Sequence, residues 1–286
     1  MREYGWEFVF VAFGACGVVL AALWAVLGAS EPPSALATAA TTATTAAAAP
    51  ATASPAVAVP APAATAEKPQ LSDVPWAEVV QSRPVWALTV SHATHNFFMY
   101  FGFSWLPTYF NYQFGMDTAA ASSASLYPFI AGGVGSLGAG AACDLLQSEL
   151  GVTRTRARKI LQSIACAGPA VAMLILAALG EGLLPGVELN RDAAQVLFVT
   201  AIGLASCSAA GFGCGAQDIS ARFSSLIYGA SSVFAVVAGA SAQYGTGVLL
   251  EANGRDFNPI FLVTSGVELL GVLAFCSWWS SERQFD

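Results

Sequence analysis

VWALTVSHATHNFFMYFGFSWLPTYFNY, Val85 to Tyr112, is an apolar run long enough to cross a bilayer, yet it carries two histidines and an asparagine. The hydrocarbon slab needs about 20 residues of apolar helix. An ionisable side chain inside it costs about 2–3 kcal/mol or more unless it faces a cavity or a partner. The polar positions of this run are therefore the first candidates for function. His92, His95, Asn96 and Met99 fall at i, i+3, i+4 and i+7, on one face of a helix, while Phe97, Phe98, Phe101 and Trp105 cover other faces. One polar face on a greasy helix predicts the lining of a polar cavity. Pro107 lacks a backbone donor and is expected to bend or end the helix near its far end, beside that cavity.

Composition agrees with a membrane setting. Of 286 residues, 56% are hydrophobic and 10% charged, against typical soluble values of about 45–50% and 25%. The formal net charge of -7 argues against nucleic acid as a partner. It leaves an anionic substrate open, because a site depends on the charges within its cavity rather than on the sum. Six cysteines (Cys16, Cys143, Cys166, Cys207, Cys214 and Cys276) lie in or beside apolar runs without paired metal-ligand spacing, and read as small packing residues.

Six further apolar runs bring the predicted spans to seven: Phe8 to Leu27, and about Ser122 to Leu146, Ile160 to Leu179, Ala193 to Gly215, Ser225 to Leu250 and Pro259 to Trp279. The first also resembles a secretory signal, but its length and the acidic residues before it favour a true span. Between it and the rest, Ser30 to about Pro69 is nearly pure Ala, Thr, Pro and Ser, a composition that cannot build a core. Leu71 to Arg83 reads as a short amphipathic helix at the membrane surface. The domain reading is residues 1–29 as a single spanning helix, 30–84 as a disordered linker ending in that amphipathic segment, and 85–286 as a six-helix half.

The basic residues predict orientation. Arg154, Arg156, Arg158 and Lys159 share one loop, and alternation places Lys68, Arg83, Arg222 and Arg283 on the same side. By the positive-inside rule that side is cytosolic. An odd number of helices beginning outside reads as a chain truncated at its front. Small residues recur every fourth position in three spans, at Gly132, Ser136, Gly140 and Asp144, at Gly203, Cys207, Gly211 and Gly215, and at Ala235, Gly239, Gln243 and Gly247. Such stripes let helix backbones approach closely in lipid.

Several motifs carry competing readings. Gly133-Val-Gly-Ser-Leu-Gly138 matches a dinucleotide fingerprint, but it sits inside a spanning run with no preceding strand, so helix packing is the reading. His92 and His95 fit a polar lining, a pair bonded to neighbouring helices, or two ligands of a metal for which no third ligand is nearby in sequence; no metal or other cofactor is expected. Asp144 with the basic loop could form a charge network at the mouth, with ordinary snorkelling as the alternative. Asp218 and Arg222, four apart, could pair. Glu268 stands alone within the last span and is a candidate for cation or proton coupling, or a partner of Gln243 or Tyr244 if those helices meet.

SHATHNFFMYFGFSWLPTYF, then GAACDLL with TRTRARKILQ, then GCGAQDISARFSSLIYGAS, and the closing SSERQFD resemble the second half of the major facilitator superfamily. The resemblance is to its anion:cation symporters, the group of the plant anion and phosphate transporters, the vesicular glutamate transporters and sialin. It implies an all-α membrane protein of about seven transmembrane helices, the C-terminal six-helix half of that fold plus the preceding helix. It also implies a secondary transporter, not an enzyme, for phosphate or an organic anion with Na+ or H+. The expected localisation is integral in the plastid envelope, the plasma membrane or an endomembrane. His95, with Asn96 and His92, is implied as the substrate site, because the family carries a polar or basic residue at the position of His95. Asp144, Arg158 and Lys159, and Asp218 with Arg222, are implied in gating. Gly215, Ala216 and Ala221 depart from the Asn, His and Pro of the family segment around Asp218. The implied partners are the bilayer and an N-terminal half or second chain that completes the site.

Overall fold

The computed structural model describes residues 7–27 and 70–285. It divides into two units, Met1–Glu67 and Lys68–Asp286. In the first, Glu7–Leu27 forms helix α1, with Phe13, Trp24 and Val26 among its exposed side chains. An unbroken apolar helix with bare side chains suits lipid rather than water. The Ala/Thr/Pro stretch lies outside the described residues.

The second unit is a helical bundle. Trp76–Gln81 forms α2, a single short segment after a turn of 3-10 helix at Leu71–Asp73. Arg83–Phe114 forms α3. Ser82 caps its start by accepting the Val85 N–H at 3.5 Å, and Pro84 occupies the first turn, where its missing donor costs nothing. Gly115 ends it in the left-handed region (φ 64°). Of the two outcomes expected of Pro107, bending or ending α3, the second does not occur: the helix runs seven residues further, to Phe114.

Thr118–Ala124 (α4), capped by the Asp117 carboxylate, leads into Leu126–Ser148 (α5). Arg154–Gly180 is α6 and Arg191–Ala205, capped by Asn190, is α7. The predicted span from Ala193 to Gly215 is not one helix. After Ala205 the chain tightens into 3-10 turns at Ser206–Ala209 and Phe212–Cys214, separated by Gly211 (φ -86°, ψ -110°), and re-forms a short α8 at Gly215–Ile219. Ser224–Ala252 (α9) and Asn258–Trp278 (α10) complete the unit.

Six stretches of the described residues are long and apolar enough to cross a membrane: Phe10–Leu27, Thr118–Ser148, Arg154–Gly180, Arg191–Ile219, Ser224–Ala252 and Asn258–Trp278. The seventh predicted span, in α3, is 32 residues long but stands outside this set. Its polar residues dilute its hydropathy, and it is the helix against which α9 and α10 both pack. The small-residue stripes mark real approaches. Gly132 lies against Ile202 and Ser206, Gly135 of the dinucleotide-like motif lies against the Gly203 backbone where α5 crosses α7, and Gly239 of α9 lies on the Tyr100 ring of α3. The dinucleotide-like motif is thus helix packing within α5.

Candidate functional site

α3 sets His92, His95 and Asn96 along one wall of a cavity of about 290 Å³, near the lower end of volumes usual for small-molecule sites. Facing them are Ser206, Ser208, Ala209, Phe212 and Gly213 from the break between α7 and α8, with Ser136 from α5 and Tyr228 from α9. The irregular backbone lies where it lines a cavity, the position in which a membrane tolerates it. Met99 departs from the predicted polar face and packs into the apolar cluster around Phe98 and Phe101.

The two histidines differ in setting. His92 is buried, its ring between Phe212 (centroids 4.8 Å, stacked) and Tyr228 (4.9 Å). Its Nδ1 lies 3.0 Å from Ser231 Oγ, whose single proton is donated to the Tyr228 carbonyl at 2.8 Å. The hydrogen of the His92–Ser231 bond therefore belongs to Nδ1. His95 is half-buried, its Nε2 3.5 Å from Ser208 Oγ and its ring 5.6 Å from Phe212. His92 is held by its neighbours, and His95 with Asn96 is left to face the cavity. Among the described residues no group of three or more His, Cys, Asp or Glu converges as metal ligands.

At the basic end of the bundle the charges pair differently from expectation. Asp218, from α8, accepts from Arg158 Nε at 2.9 Å and Nη2 at 3.3 Å, and Arg154 stands 3.9 Å away. Arg158 also donates to the Ala210 carbonyl at 2.8 Å, so it clamps both sides of the helix break. Arg222 does not pair with Asp218, because Ser220 is extended (φ -154°) and the four-residue spacing is no longer helical; it lies 3.9 Å from Asp73 instead. Asp144 is exposed with no ion pair among the described residues, and Lys159 donates to the Cys276 carbonyl at 2.8 Å. The predicted network thus contracts to Arg158, Asp218 and Arg154.

Residues 1–243 match the model of the Major Facilitator Superfamily. The chain belongs to that superfamily. It is therefore an integral, multi-pass membrane protein, and members of the family are transporters rather than enzymes. Among its relatives are the Sodium-dependent phosphate transport protein 1, chloroplastic, of Arabidopsis thaliana, 25% identical over all of this chain and 51% of its own length. The Ascorbate transporter, chloroplastic, of the same plant is 26% identical over all of this chain and 48% of its own. The chain spans about half the length of these relatives.

For a major facilitator half, the placement of Glu268 is notable. It is 1% exposed within α10, and neither carboxylate oxygen has a hydrogen-bond partner among the described residues. Cys166 Sγ of α6 lies close to Gly271, one turn along α10, and neither Gln243 nor Tyr244 bonds the carboxyl. Gln243 donates to Ser104 Oγ at 2.7 Å, and Tyr244 is exposed. Sequence reasoning missed Gln162, Ser208, Phe212, Tyr228 and Ser231. Gln162 had a signal, being a lone amide within the apolar run from Ile160 to Leu179. The others are ordinary residues whose role comes only from the helix break.

Proposed function

We propose that this chain forms one half of a secondary active transporter that carries inorganic phosphate or another small anion, coupled to Na+ or H+. The observation that carries the reading is the cavity in which His95 and Asn96 face a broken helix lined with serine hydroxyls. Discontinuous helices at mid-membrane are where transporters bind substrate. In this reading His95 supplies a switchable positive charge and Asn96 a neutral donor, while His92 and Phe212 shape the wall. Glu268 takes the coupling cation or proton, and the Arg158–Asp218–Arg154 cluster holds the cytosolic mouth closed. The relatives named for phosphate and for ascorbate support a small-anion substrate, and their chloroplastic names favour the plastid envelope.

A second reading has its own support in the half-length match: an accessory or partial membrane subunit that needs a second chain or an N-terminal half to complete its cleft. Uptake of radiolabelled phosphate into proteoliposomes holding this chain, under imposed sodium or proton gradients, separates the two. Gradient-driven uptake that falls at least tenfold in His95→Ala is the expected result. Uptake unchanged by that substitution removes His95 from the site. No uptake by a folded, reconstituted chain favours the second reading.

A further inference from the structure

Two distances fix a proton in the wall of the cavity. Ser231 Oγ of α9 lies 2.8 Å from the Tyr228 carbonyl oxygen and 3.0 Å from His92 Nδ1. A carbonyl has no proton to give, so the hydroxyl proton lies between the two oxygens; turned towards Nδ1 instead, it would leave lone pairs facing each other at that distance. Nδ1 therefore carries the imidazole proton, and in a neutral ring Nε2 is then an acceptor and nothing else. Among the described residues Nε2 has no hydrogen-bond partner, yet it is not sealed from outside as Ser91 Oγ and Tyr109 Oη are. It opens on the cavity that His92 lines. The ring is not free to offer a different edge, because the Phe212 and Tyr228 rings pack against it with centroids 4.8 and 4.9 Å away.

We propose that His92 is a specificity-determining residue, whose Nε2 lone pair selects oxyanions that carry an O–H, such as inorganic phosphate or a hydroxy acid, over those that carry none, such as sulfate. The inference rests on the reading of that cavity as the substrate site and narrows it to one class of anion. It needs His92 neutral. No Asp or Glu lines the cavity to favour a second proton, and the groups bonded to or packed on the ring are uncharged.

Phosphate and sulfate share a tetrahedral shape and differ in protons: near neutral pH every form of inorganic phosphate keeps at least one O–H, and sulfate keeps none. Against Nε2, phosphate donates a hydrogen bond. Sulfate sets its own lone pairs against that of the ring and leaves the nitrogen unbonded. Sites built to bond a substrate O–H discriminate strongly against the analogue that lacks it. The other polar groups of the wall make no such choice, since the Asn96 amide has a donor and an acceptor and the Ser208 hydroxyl can turn. A positive charge on His95 attracts both anions alike.

The chain's two histidines make the test direct. The full chain, with isotope-labelled histidine, is held in lipid nanodiscs at about pH 7.5, above the ordinary histidine titration, and titrated by NMR with inorganic phosphate and, separately, with sulfate. The imidazole nitrogen shifts distinguish a protonated nitrogen from a bare one. The expected result is a His92 proton on Nδ1 and none on Nε2, and phosphate bound at least tenfold tighter than sulfate. Ser231→Ala removes the acceptor that keeps the proton on Nδ1 and lets Nε2 carry it. Sulfate should then bind at least threefold tighter than to wild type, a gain that structural damage does not produce. His92→Phe keeps a stacking ring without the acceptor; followed through His95, phosphate should fall to within threefold of sulfate. A wild-type His92 with its proton on Nε2, equal affinities for the two anions, or a phosphate preference that survives both substitutions overturns the proposal and leaves the substrate reading standing. If neither anion moves either histidine of the wild type, the substrate reading itself fails, and the proposal with it.

Discussion

Replacing Asp218 by Ala removes one member of the most buried ion pair in the described bundle. The Arg158 and Asp218 side chains are 12% and 7% exposed, so water cannot easily rehydrate the guanidinium left behind. Breaking a buried pair from one side costs about 3–5 kcal/mol. The Arg158 bond to the Ala210 carbonyl survives the change and leaves the residual charge partly satisfied, which places the expected loss near the lower end, about 3 kcal/mol. That is roughly a 150-fold shift in the folding equilibrium at about 1.4 kcal/mol per tenfold. Arg154, more than half exposed and at 3.9 Å, adds under about 1 kcal/mol. Asp218→Asn, which keeps an acceptor, should lose about half as much as Asp218→Ala, close to the ~1.5 kcal/mol of one hydrogen bond to a charged group. Removing both partners, as Asp218→Ala with Arg158→Met, should return stability to within about 1 kcal/mol of wild type, because no unpaired charge remains. Equilibrium unfolding in mixed micelles, followed by the fluorescence of the seven tryptophans, measures these three variants and Arg158→Met alone. If the double variant loses the sum of the single losses, or Asp218→Ala loses less than about 1 kcal/mol, the pair is not shielded from water and the reasoning fails.

Three other substitutions probe packing. Tyr109 sits among five phenylalanine rings with centroids 5.1–5.8 Å away, and its buried hydroxyl has no hydrogen-bond partner; Tyr109→Phe should therefore stabilise the bundle by about 1 kcal/mol, seen as a raised thermal midpoint in detergent. Gly135→Ala should cost about 1–3 kcal/mol by pushing a Cβ into the Gly203 carbonyl, whereas Gly138→Ala, three residues along α5 with open space around it, should be neutral or stabilising by about 0.5–1 kcal/mol. The same thermal assay ranks the two glycine variants.

Much of the architecture was legible because spanning helices are a local property. About 20 apolar residues in a row read as a span whatever surrounds them, and the limits expected for α6, α9 and α10 lie within a few residues of the observed ones, save at the start of α6. His92, His95 and Asn96 were legible for a related reason, since a polar group in an apolar run needs a partner that the run itself does not supply. The break after Ala205 was not. Gly203, Cys207, Gly211 and Gly215 read equally well as a packing stripe on one unbroken helix, and the clamp that makes the break, with Arg158 on the Ala210 carbonyl and Gln162 on the Phe212 amide, comes from another helix.

Sequence by itself therefore determined that this is a helical, multi-pass membrane chain, and which of its helices carries polar residues into the apolar zone. Only the tertiary structure decided the partners: Asp218 with Arg158 rather than Arg222, Gln243 with Ser104 rather than Glu268, and Phe212 over the histidines. The physical reason is range. Hydropathy and helical period act within about one turn to twenty residues, whereas an ion pair across 60 positions or a ring stack across 120 depends on how rigid helices pack, which no local pattern encodes.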